Sequence, residues 1–193
     1  MPDTLCVTTG QHSEAGRKPV NQDFHGLLIP RNHQLATKGI AVAIADGISS
    51  SNVSQVASES AVAGFLSDYF STPDSWSVKQ SAQRVLRATN AWLYAQPRQS
   101  QYRYDRDRGY VCTLSVMILK AATAHLFHVG DTRICRIHPT GLEPLTTDHR
   151  LWLSAKESCL TRALGLGHQL DIDYLSLPIR PGDIFLLSTD GVH

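Results

Sequence analysis

Aspartates recur where apolar runs stop. Asp46 follows the run Ile40-Ala41-Val42-Ala43-Ile44-Ala45 and precedes Gly47, and Asp190 follows Ile184 to Thr189 and precedes Gly191. Asp131 closes the run His125-Leu126-Phe127-His128-Val129-Gly130, and Asp23 opens another in the string Asn21-Gln22-Asp23-Phe24. Carboxylates at strand ends can converge on one rim of a sheet sandwich. Held close together they cannot all stay ionised unless a cation neutralises them. Oxygen ligands without clustered His or Cys select hard cations such as magnesium or manganese and argue against zinc or copper. A glycine after the aspartate lets the backbone approach and offers its carbonyl as a further ligand. Asp-Gly pairs are also ordinary turn residues, so type and spacing alone leave both readings open.

The elements that would carry these acids are legible in the hydrophobic pattern. Thr4 to Thr9, Phe24 to Ile29 and Gly39 to Ala45 read as strands, bounded by polar or Gly/Pro punctuation. Val53, Val56, Val62, Phe65, Leu66, Tyr69 and Phe70 then fall largely at three- and four-residue spacings, which predicts a helix with Ser51 or Asn52 as N-cap. A second helical period runs through Val78, Ala82, Val85, Leu86, Thr89 and Leu93, starting near Asp74 or Ser75 and stopping before Pro97. Residues 98–109 are polar and aperiodic, as a surface loop is. Val111 to Leu119, Ala124 to Val129 and Arg133 to His138 suit an antiparallel meander, and Asp183 to Ser188 reads as a last strand. Strands, two helices and strands again predict an α+β domain of antiparallel sheets rather than a doubly wound parallel sheet. Gly165 and Gly167 do not open a helix as a dinucleotide fingerprint would.

Bulk composition narrows the partners. The chain has 193 residues, 42% of them hydrophobic, enough for one core. Its 18 Lys and Arg nearly cancel 17 Asp and Glu, so no field draws it to nucleic acid. No apolar stretch is long enough for a membrane segment, and the N-terminus lacks the basic-then-apolar order of an export signal. The 4 cysteines, Cys6, Cys112, Cys135 and Cys159, show no C-x-x-C spacing and are expected to be buried free thiols, in keeping with a cytoplasmic protein.

Ordered strings then point to a family. Arg17 with Asn21-Gln22-Asp23, Ala45-Asp46-Gly47, Gly109 to Thr113 and His128-Val129-Gly130-Asp131-Thr132-Arg133 come first. Leu145-Thr146-x-Asp148-His149, Leu160-Thr161-Arg162-Ala163-Leu164-Gly165 and Ser188-Thr189-Asp190-Gly191-Val192 follow. In type and order the sequence resembles the metal-dependent serine/threonine protein phosphatases of the PP2C (PPM) type, in their bacterial form. The resemblance implies a four-layer αββα sandwich of antiparallel sheets flanked by helices, with two manganese or magnesium ions at one end. It implies that Asp46 bridges both ions, that Asp23 and the Gly47 carbonyl serve one, and that Asp190 serves the other. Asp131 matches the accessory third site of bacterial members, and Arg17 the arginine that holds the substrate phosphate. The chemistry implied is hydrolysis of phosphoserine and phosphothreonine in proteins by a water that the paired ions acidify. No cysteine nucleophile is needed.

Departures from the pattern set further expectations. Ile48-Ser49-Ser50-Ser51 follows the first Asp-Gly where the family usually has His or Met and two glycines, which leaves the leaving-group acid unassigned. His128 is expected in a packed strand. Only a short stretch separates His149 from Leu160, so the flap is reduced; Leu151 and Trp152 read as core or as part of its cover. Residues 1–193 read as a single domain that lacks the family's C-terminal segment and its last Asp-Asn ligand, compatible with a phosphatase–kinase fusion or a cognate serine/threonine kinase partner. The altered segment and the short flap also fit an alternative: a catalytically weak or inactive phosphatase-like binding module.

Overall fold

In a computed structural model, described over residues 5–96, 109–154 and 158–192, the frame is a five-stranded antiparallel sheet. Its strands are β1 (Asp23–Leu28), β2 (Ile40–Asp46), β3 (Leu114–Lys120), β4 (Thr123–Val129) and β9 (Asp173–Pro178), in the order β1-β2-β3-β4-β9. A three-stranded sheet is ordered β10-β5-β6, from β5 (Arg133–His138), β6 (Gly141–Pro144) and β10 (Ile184–Ser188). A separate two-stranded ribbon joins β7 (Arg150–Trp152) to β8 (Ser158–Leu160). The helices are α1 (Asn32–Lys38), α2 (Ser54–Ser71) and α3 (Val78–Ala95).

Alternation along the central strands sorts their side chains between two cores. On one face Ala41, Ala43, Ala45, Leu114, Val116, Ile118, Phe127 and Val129 meet Ala61, Phe65 and Tyr69 of α2 and Val85, Leu86 and Leu93 of α3. On the other, Ile40, Met117, Leu119 and Leu126 meet Ile134, Phe185 and Leu187 of the smaller sheet. β3 is therefore apolar at nearly every position, since it is covered on both sides. The α+β architecture of antiparallel sheets and helices is the one the sequence predicts, and the described residues supply three layers: helices, large sheet, small sheet.

Several local expectations change. Residues 5–9 form no strand; Leu5 and Val7 pack against the second core without joining a ladder. The N-cap of α2 is Val53, with no side-chain cap, because the Ser51 hydroxyl accepts the Val53 N–H inside the preceding turn (3.2 Å). α3 starts at Val78, where the Ser77 side chain accepts from the Gln80 N–H at 3.1 Å. The strand expected from Val111 begins at Leu114, preceded by isolated bridges from Cys112 to Gly47 and Leu164. All 4 cysteines are free, but only Cys112 and Cys135 are buried; Cys6 and Cys159 are exposed. The predicted loop at 98–109 lies, up to residue 108, outside the described residues.

Candidate active site at the strand ends

Antiparallel register brings the first two acids together: Asp23, the first residue of β1, stands directly opposite Asp46, the last of β2. Asp190 follows β10 by two residues, and the Thr189 hydroxyl beside it donates to Asp23 Oδ2 at 2.8 Å. Asp46 is the deepest of the three. Burial, then the negative charge and hydrogen bonding of Asp23, then those of Asp190, push its carboxyl up to about 9. At neutral pH this cluster holds a proton unless a cation takes its place. That is the property expected of a hard-cation site. Among the described residues no three His, Cys, Asp or Glu side chains are grouped so as to hold an ion alone. Magnesium-type ions complete their shells with waters and carbonyls around one or two carboxylates, so the donor set fits.

The backbone at Asp46 is fixed from several sides. Its N–H donates to the Thr113 hydroxyl (3.0 Å) and its carbonyl accepts the Thr113 N–H (2.8 Å). Gly47 donates to the Gln22 carbonyl (3.0 Å), and a Cβ there would lie 2.6 Å from the Ser54 carbonyl oxygen, so only glycine fits beside the start of α2. The Gln22 side chain donates to the carbonyls of Ile48 and Ser51 and to the Ser54 hydroxyl, at 3.3, 3.0 and 2.6 Å. The altered Ile48-Ser49-Ser50-Ser51 segment is thus clamped by the Asn-Gln-Asp string. Asn21 adds an acceptor for the Asp23 N–H at 3.0 Å.

A groove of about 430 Å³ runs along this end, lined by Arg17, Asn21, Asp23, Thr189 and Asp190 among others. Arg17 is exposed at its edge. Asp131, buried at 3% exposure, does not line it. The Arg150 guanidinium donates to Asp131 Oδ2 and reaches Asp190 Oδ2 at 3.2 Å. Arg150 carries no motif signal, and its partners lie 19 and 40 residues away, so pattern reading passes over it.

The remaining strings interlock behind the site. Gly130 N–H donates to His149 Nδ1 (3.1 Å), which leaves the proton on Nε2 facing Asp173 Oδ2 (2.9 Å). Arg133 grips Asp148 with two hydrogen bonds of 3.0 and 2.7 Å. His128 lies in the packed strand, as expected, at 2% exposure. Its Nε2–H donates to the Thr147 carbonyl (3.1 Å) and its Nδ1 accepts from the Ser115 hydroxyl (2.8 Å). That tautomer makes Ser115 the acceptor from the Thr132 hydroxyl at 2.7 Å. Leu151 and Trp152 are 52% and 65% exposed, not core, because the two-stranded ribbon they sit on has no sheet packed over it.

Burial, then the neighbouring His149, lowers His128 from 6.5 to about 4. The unfolded chain therefore binds one more proton than the folded one between those values, and stability falls as pH drops through that window. At pH 4.5 the loss from this residue is expected to be on the order of 2–3 kcal/mol. Urea unfolding at pH 7 and pH 4.5 checks it, with a shallower dependence expected in His128→Gln.

A family model described as Protein phosphatase 2C matches residues 10–193. Protein phosphatase PhpP of Streptococcus pneumoniae serotype 2 is 25% identical over 210 residues, covering 100% of this chain and 79% of PhpP. The serine/threonine phosphatase Stp1 from Staphylococcus aureus superposes with a TM-score of 0.73 at 18% identity, over 95% of this chain and 74% of that one. PstP/Ppp of Mycobacterium tuberculosis gives a TM-score of 0.69 at 20% identity, over 90% and 74%. A further structure of the PstP catalytic domain is a complex with 2 manganese ions.

Proposed function

The chain belongs to the protein phosphatase 2C family, metal-dependent phosphatases of protein serine and threonine, and from that premise we propose how its own residues divide the work. Asp46 would serve both of two manganese or magnesium ions, Asp23 and the Gly47 carbonyl would hold one, and Asp190 would hold the other. Asp131 stands where the resemblance would place an accessory third ion, but the Arg150 guanidinium already donates to it, so two ions are proposed. The observation that carries this reading is the convergence of Asp23 and Asp190 on a buried Asp46 pushed up to about 9. When bound, the ions supply a nucleophilic water at neutral pH and offset charge on the phosphoryl oxygens. Arg17, on the groove that Asp23 and Asp190 also line, grips the substrate phosphate through its planar fork of donors. Thr189 and Thr113 orient Asp23 and Asp46.

The substrate is a phosphorylated protein, and the reaction that supplies it is ATP-dependent phosphorylation of serine and threonine by a kinase. We place that pair in the cytoplasm, which the free cysteines support. No helix among the described residues is long and apolar enough to cross a membrane. Residues 1–193 act as one domain, a reading supported by the family match over 10–193.

Phosphate release from a phosphothreonine peptide is expected to require added manganese and to stop in EDTA. Arg17→Ala is expected to raise KM by about tenfold or more, the loss of a charge-assisted phosphate contact, with manganese affinity unchanged. Release that persists in EDTA would refute the metal assignment.

A further inference from the structure

Asp131 is the most buried acid at this end of the molecule; its side chain is 4% exposed. A carboxylate so placed needs a permanent counter-charge, and Arg150 provides one. The guanidinium stays charged at any working pH, and its flat array of donors suits more than one carboxylate. Here Nη2 serves Asp131 and also Asp190 at 3.2 Å, while Nη1 donates to the Ser158 hydroxyl at 3.0 Å. Arg150 opens β7 and pairs with Leu160 of β8, so these bonds also tie the ribbon to the site. Among the described residues, Arg133, the cation two positions on from Asp131, is committed to Asp148. An ion placed between Asp131 and Asp190 would meet the guanidinium already there. Like charges at that range repel, so the ion could enter only if Arg150 left both carboxylates and Ser158.

Building on the two-ion reading above, we propose that Arg150 is a tethered substitute for a third ion: by bridging Asp131 and Asp190 it restricts the chain to two manganese ions and makes Asp131 act through Arg150. Arg150 is then a positioning residue. It holds Asp190 on the side toward Asp131 and fixes the ribbon that carries the exposed Leu151 and Trp152.

Metal analysis after equilibrium dialysis against manganese tests this on the chain as it stands. Arg150→Ser is expected to bind one more ion per chain than the wild type, Arg150→Lys the wild-type number, and Arg150→Ser with Asp131→Asn to lose the added ion. Equal counts in wild type and folded Arg150→Ser would overturn the substitution and leave the two-ion reading intact. A wild type that binds no manganese would overturn both. A second measurement does not depend on ions. In EDTA, Arg150→Ser is expected to lower the melting temperature by about 5–15 °C, because it orphans a buried carboxylate, and Asp131→Asn is expected to restore most of the loss. Additive effects of the two substitutions, or an unfolded double variant, would overturn the bridge.

Discussion

Asp46→Asn is expected to raise the melting temperature of the metal-free chain while lowering manganese-dependent turnover by at least about a hundredfold. The two effects have opposite signs because one charge causes both. In the folded chain Asp46 is pushed up to about 9 by burial and by Asp23 and Asp190, against an ordinary 3.8. A folded-state value raised in this way gives stability that is complete below pH 3.8 and is lost as pH rises through about 9. At pH 7.5 the wild type without metal carries most of that penalty. Asparagine has nearly the same shape, does not ionise, and offers an amide N–H to the neighbouring carboxylates. The expected gain in EDTA is about 5–10 °C. Added manganese should then reverse the order: the wild type gains stability by mass action, and the variant, without its central ligand, gains little. Melting curves with and without manganese check the crossing. A variant less stable than wild type in both conditions would mean that Asp46 holds the fold and not the ions.

How much of this was readable from the residues depends on the reach of each interaction. Asp23, Asp46 and Asp190 were legible because each sits at the boundary of an apolar run, a signal confined to a few neighbours in sequence. Their convergence was not, since it depends on the register that sets Asp23 against Asp46 and on Thr189 meeting Asp23 across 166 residues. Long helices with strong periodicity were found, whereas the short β6, β7, β8, β9 and α1 were missed because 3 to 7 residues carry too little pattern. The Thr4 to Thr9 segment failed in the other direction. Its alternation is real, with Leu5 and Val7 turned toward the core, but no partner strand completes a ladder there. Arg150 was invisible for a different reason: a lone arginine after Asp-His reads as surface until its two carboxylates are placed in space. Cys6 and Cys159 show the converse error, since residue type favours burial while Cys6 lies outside any strand and Cys159 on the uncovered two-stranded ribbon.

Gly130→Ala is expected to be the most damaging single-methyl change in the site, and Gly64→Ala, by contrast, to stabilise. Gly130 links β4 to the Asp131-Thr132-Arg133 string at φ 114°, a conformation that side chains rarely adopt. A Cβ there would lie 2.4 Å from Thr113 Cβ and 2.5 Å from its Cγ2, inside van der Waals contact. Backbone strain and overlap together are expected to cost about 3–5 kcal/mol. For a chain of 193 residues that is a fall of roughly 6–15 °C in melting temperature. The damage does not stay local. Thr113 is the residue whose hydroxyl and N–H hold both backbone groups of Asp46, and Gly130 itself exchanges hydrogen bonds with His149. Any shift that relieves the overlap therefore moves a candidate metal ligand or the Leu-Thr-x-Asp-His string. Turnover is expected to fall by about tenfold or more, even at temperatures where the variant stays folded. Gly64 sits inside α2 with nothing within 4 Å of an added Cβ, so alanine there removes only the entropy cost of a helical glycine and adds about 0.5–1 kcal/mol. Urea unfolding and peptide turnover measured on the two variants side by side separate contact at one glycine from chain entropy at the other. Equal stability of the two would show that Thr113 yields freely and that Asp46 is not held through it.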